Sequence, residues 1–156
     1  MASVRTNFGK ATIESLGWRG TMIDGSGAPT NWYVILISSA FNWAAPDPDI
    51  DTANSVTGAM DPANYGSPTV ARSAAAWTVT QNNGSNRSEI QPAAVISFTN
   101  GAGTLTNVRG MALATQGNLT ASSRIMAFIE FDQTTASISP SQTIQITAGS
   151  IQILDA

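Results

Sequence analysis

Arg124-Ile-Met-Ala-Phe-Ile-Glu-Phe-Asp132 carries the signal that decides the fold class. Ile125, Ala127, Ile129 and Phe131 fall on one side of an extended chain, with Arg124, Glu130 and Asp132 on the other. That period of two is the mark of a β-strand, because successive side chains point to opposite faces. The stretches Thr143–Thr147 and Ser150–Leu154 repeat it, with Ile144, Ile146, Ile151 and Ile153 inward and Gly149 between them.

Working outward, the same chemistry recurs. Ala93–Thr99 and Thr104–Thr115 read as strands, and Gly110 within the second predicts a bulge or a close approach by another group. Ala76–Gln81 reads as a strand with Trp77 and Val79 on one face, turning at Asn82-Asn-Gly-Ser85. Trp32–Ile37 is continuously apolar, which predicts a strand buried on both faces. With no long helical period, roughly seven short strands separated by turn signals predict an all-β domain, a β-sandwich or jelly roll.

Two regions stand apart. Residues 1–20 are expected to form an N-terminal arm, with one or two helical turns between Lys10 and Leu16, ahead of a β-sandwich domain over 21–156. The arm either folds onto its own core or reaches a neighbouring subunit. Residues 41–68 form a long loop with Pro46, Pro48, Pro62 and Pro68, and a short helix is expected between Ser55 and Met60.

Composition narrows the function classes. The chain of 156 residues has no cysteine and no histidine, so it lacks thiolate ligands, disulfides and the commonest catalytic base. Ser–His and Cys–His nucleophiles are excluded, and the single lysine, Lys10, sits in the N-terminal arm. Charged residues make up only 11% of the chain. Such a surface suits one largely covered by partners or a simple Ser/Thr-rich exterior. The net charge is −3 with scattered arginines, which gives no footprint for nucleic acid. No stretch reads as a signal peptide or membrane span, so synthesis in a cytoplasm is expected. Asn83, Asn86 and Asn118 begin N-x-S/T matches that an Asn/Ser/Thr-rich chain produces by chance.

Three constellations were weighed for chemistry. Glu130 and Asp132 share a face, as the two carboxyls of a glycosidase must flank one bond, but a solvated strand face has the same pattern. Asp47, Asp49 and Asp51 have alternate spacing suited to calcium, yet Thr52 and Gly58 stand where an EF-hand needs Gly and Glu. Trp18, Trp32, Trp43 and Trp77 could stack on sugars. Trp32 and Trp77 read as core, whereas Phe8, Leu16, Trp18, Phe41 and Trp43 are the expected anchors of a protein interface. No enzyme activity, metal or cofactor is expected.

The order of elements resembles a group of small tailed-bacteriophage virion proteins. The resemblance rests on Asn31-Trp-Tyr-Val-Ile-Leu-Ile37, the stretch Tyr65 to Arg72, Trp77-Thr78, Ala93-Ala-Val-Ile-Ser-Phe98, and Ser139 to Leu154, over residues 30–156. Ala114-Thr-Gln-Gly-Asn118 departs from it where a more glycine-rich turn is expected. The resemblance implies a virion structural protein. The reading favoured here is a capsid cement or decoration protein that binds between major capsid subunits. A homo-oligomer is expected, a trimer by capsid symmetry. A tail, baseplate or receptor-binding fibre component and a carbohydrate-binding module are the alternatives.

Overall fold

A computed structural model describes residues 3–11, 29–47, 49–82, 87–147 and 153–155. The chain is all-β. The strands are β1 (Ser3–Arg5), β2 (Asn31–Ser38), β3 (Thr69–Ala71), β4 (Trp77–Asn82), β5 (Arg87–Pro92), β6 (Ile96–Thr99), β7 (Leu105–Ala114), β8 (Ile125–Ile138), β9 (Thr143–Ile146) and β10 (Ile153–Asp155). They form a five-stranded sheet of order β1-β8-β7-β2-β3, a three-stranded sheet β10-β5-β4 and a ribbon β6-β9. Every pairing is antiparallel.

The five-stranded sheet is covered on both faces. On β2, Val34 and Leu36 join one apolar cluster while Ile35 and Ile37 join another. On β7, Met111 and Leu113 face the first, Ala112 and Ala114 the second. The continuous run in β2 is therefore two alternating sets of buried side chains, as expected of a strand with no solvent face.

On the first face the cover is mainly other strands, with Ile96 and Phe98 of β6, Ile146 of β9 and the half-buried Trp77, joined by Tyr65 of the long loop and Phe8 of the N-terminal turn. On the second face it is irregular chain. Phe41, Trp43, Ala53 and Val56 pack there with Phe128, and Ile50, Ala59 and Leu119 border them. Phe41 sits 4.7 Å from the Phe128 ring and 4.8 Å from Trp43. Much of the long loop predicted around 41–68 is thus a core layer. The helix expected between Ser55 and Met60 does not form; single 3-10 turns occur instead at Ala53–Ser55 and Pro62–Tyr65. Asp61 accepts from the Ala63 amide, Pro62 opens the second turn, and Gly66, at φ 75°, closes it.

Gly110 is both bulge and close approach. The registers of β7 with β2 and with β8 shift beside it. A Cβ there would collide with the Trp43 ring and lie 2.5 Å from the Ile129 carbonyl. The glycine lets the indole lie flat on the sheet.

The strict alternation predicted for Arg124–Asp132 is corrected. Leu113 pairs with Ala127 but Ala114 pairs with Ile125, so Met126 is an extra residue in β8. Side chains on either side of a bulge exchange faces. Ile125 and Phe128 accordingly share one cluster, and Ala127 and Ile129 the other.

The N-terminal residues belong to this sheet: β1 pairs with residues 127–129 of β8. Residues 7–11 are helical, earlier than the predicted Lys10–Leu16. Thr6 caps the turn, accepting from the Gly9 amide at 2.9 Å while its hydroxyl donates to the Ile125 carbonyl at 2.5 Å. Leu16, Trp18 and the rest of that predicted helix lie outside the described residues, as do Gly149 and Ile151.

Candidate interaction surface

Glu130, Asp47, Asp49 and Asp51, offered by the sequence for chemistry, each have a structural partner, while the side chain of Asp132 lies outside the described residues. Arg109 donates through Nε and Nη2 to Glu130 Oε1, at 2.9 and 2.7 Å, and through Nη1 to the Thr134 hydroxyl at 3.1 Å. Between Glu130 and Thr135, β8 runs through residues with no mate on β7, where one residue, Arg109, stands opposite. The guanidinium ties Glu130 to Thr134 across that excursion. Arg124 donates to Asp51 at 3.0 Å and lies over the Phe8 ring, 4.7 Å from its centroid.

The three aspartates of the acidic stretch diverge. Asp47 accepts from the Asp49 amide at 2.9 Å, Asp49 from the Asn7 side chain at 2.5 Å, and Asp51 from Arg124. Among the described residues no group of three metal-ligating side chains comes together. Burial pushes the Tyr65 phenol well above the ordinary 10.0. Its hydroxyl accepts from the Leu36 amide at 2.9 Å and donates to the Met60 carbonyl at 3.1 Å. That places it as a pin between β2 and the covering loop.

The aromatic residues expected at an interface lie largely inside. Phe8, Phe41 and Trp43 are 7%, 5% and 8% exposed. The correction has a simple cause: β2, residues 110–114 of β7 and residues 125–129 of β8 are apolar on both faces, so the irregular segments beside them supply the missing cover. Trp43 donates its indole N–H to the Ser38 carbonyl at 3.1 Å, and Trp77 to Ala71 at 3.0 Å. Trp32 and Trp77 pack against the first cluster, as predicted.

What remains outside is different. Val79 is 67% exposed and Val95 50%, the largest exposed apolar side chains among the described residues. Val79 lies on β4 between the exposed Thr78 and Thr80, so neither face of that strand is covered there. Ser73, Ala74 and Ala75 before it, and Ala93 and Ala94 beyond β5, are exposed as well. The Ala93 amide donates to the Ala76 carbonyl at 2.9 Å, which holds these two segments side by side. Residues 73–82 and 91–99 contain no charged side chain. The sequence places Val79 on the same strand face as Trp77, yet only Trp77 packs against the core. Alternation alone cannot reveal where cover ends along a strand.

Such a surface desolvates at little cost and offers backbone donors and acceptors along a strand edge. It is suited to binding protein. Comparisons with family models, with curated proteins and with solved structures returned no match.

Proposed function

We propose that this protein is a structural component of a bacteriophage virion that works by docking onto other proteins, most simply as a capsid cement or decoration protein. The carrying observation is the exposed strand β4 around Val79, itself without charged residues although Glu89 and Arg87 stand opposite it on β5, beside a sheet buried on both faces at its centre. The sheet supplies rigidity, and β4 supplies contact area with no charge of its own to strip of water. The engagement of Glu130, Asp49 and Asp51 in internal pairs supports a structural role for the carboxylates over a hydrolytic one. The resemblance over residues 30–156 supports the virion as the setting. Many weak contacts on a repeating lattice would add through avidity.

A tail or fibre component is the neighbouring reading. The core packing of Phe41, Trp43 and Tyr65 gives less support to a free distal loop at 41–68. A carbohydrate-binding module would need exposed indole faces, and Trp32, Trp43 and Trp77 pack within the chain.

Quantitative mass spectrometry of purified particles tests the proposal. A copy number comparable to that of the major capsid protein is the expected result. Far fewer copies per particle would move the protein to the tail, and absence from the particle would overturn the reading. Saturable binding on a glycan array, lost in Trp18→Ala, would favour the carbohydrate module instead.

A further inference from the structure

Among the described residues β4 ends its sheet. At six residues it is the longest edge strand; β1, β3 and β10 have three, and β6 and β9 four. Edge strands are commonly blunted by lysine, proline or a bulge. β4 has no charged residue and no proline, and its register with β5 runs unbroken from Trp77↔Pro92 to Asn82↔Arg87.

The register also fixes which backbone groups face outward. In an antiparallel ladder, opposed residues alternate between mutually hydrogen-bonded and non-bonded pairs. The Ala93–Ala76 hydrogen bond makes that pair a bonded one. Thr78 and Thr80 therefore bond to β5, while Trp77, Val79 and Gln81 turn their amides and carbonyls away. The chain itself agrees: the outward Trp77 amide is taken by the Ser73 carbonyl at 3.2 Å.

We propose that β4 pairs antiparallel with β4 of a second copy of this chain, across a two-fold axis at Val79. This rests on the docking reading above and names the occupant of one part of that surface. Val79 presents one outward N–H and one outward C=O, a set that its own image satisfies: each amide donates to the carbonyl of the other Val79. Thr78 then stands opposite Thr80 of the second copy, and Trp77, its amide already taken by Ser73, meets Gln81 through its carbonyl alone. A strand paired with itself sets charged residues near their likes, and β4 has none to oppose. The exposed Val79 side chains pass out of water together. An isologous contact of this kind closes with two copies, so this edge builds a dimer and not the trimer expected from capsid symmetry.

Sedimentation equilibrium of the purified chain at micromolar concentration tests the pairing. The expected mass is twice the 16.2 kDa chain. Val79→Lys sets like charges against each other and should weaken dimerisation by about tenfold or more. An equimolar mixture of Val79→Lys and Val79→Glu should restore it. The side chain is exposed, so circular dichroism should be unchanged, and so should the urea midpoint once both proteins are diluted to monomer. Because the chain has no cysteine, Val79→Cys carries its sole thiol. A short bis-maleimide should couple two copies of that variant, and should not couple Ala63→Cys at an exposed site elsewhere. A wild-type monomer, or dimerisation undisturbed in both Val79→Lys and Val79→Pro, overturns the pairing. Either result leaves the particle copy number to decide the docking reading separately.

Discussion

The central strands β2, β7 and β8 and the β4–β5 hairpin are built from similar residues and put to opposite uses. Val34, Ile35, Leu36 and Ile37 are fully buried, whereas Val79 stands mostly in water. Valine and threonine suit a pleated strand in either place. What separates the regions is cover: strands on one face and irregular chain on the other for β2, nothing over Thr78–Thr80 for β4. Stability should therefore concentrate in the first region and association in the second.

Phe128→Ala is the strongest way to break that contrast. It removes the ring beneath Phe41 and should cost about 3–5 kcal/mol in urea unfolding. A cost near zero would mean that the irregular layer does not hold the second face. Gly110→Ala comes next, at about 1–3 kcal/mol by overpacking. Trp43 must lift from β7 to make room, so a red-shifted tryptophan emission should accompany the loss.

Tyr65→Phe should cost about 1–3 kcal/mol, because the Leu36 amide and Met60 carbonyl lose their shared partner. It also carries a pH test. The folded phenol is raised above 10.0, so in that range the unfolded chain gives up its proton first. The contribution is fully present below about pH 10 and is lost as pH climbs toward the folded value. The wild-type urea midpoint should fall between about pH 9 and 11, and Tyr65→Phe should flatten that fall. Smallest is Val79→Lys, expected within about 0.5 kcal/mol of wild type in unfolding. A larger cost in the monomer, at concentrations below dimerisation, would show that β4 is covered within its own chain and would erase the contrast.

Much of the central sheet was legible in sequence. The unbroken apolar run of Trp32–Ile37 announced a doubly buried strand, and Gly110 announced a close approach. The interaction surface was not legible. Arg87–Pro92 was missed as a strand because proline and charged residues obscure its pattern. The bulge at Met126 misled for another reason: an inserted residue reverses parity without changing composition. Phe41 and Trp43 read as interface anchors because irregular chain has no period from which burial can be inferred. The face they fill exists only once β2, β7 and β8 have come together.

That late meeting has a cost during synthesis. β2 pairs with β7, whose residues 108–114 emerge from the ribosome long after Val34–Ile37. At roughly 5–20 residues per second, the most apolar segment of the chain waits several seconds for its mate. Ser3–Arg5 waits longer still, for residues 127–129. The nascent polypeptide therefore carries a sticky, unmatched ribbon while roughly 70 further residues are made, and a holdase or rapid shielding by neighbours should govern its yield.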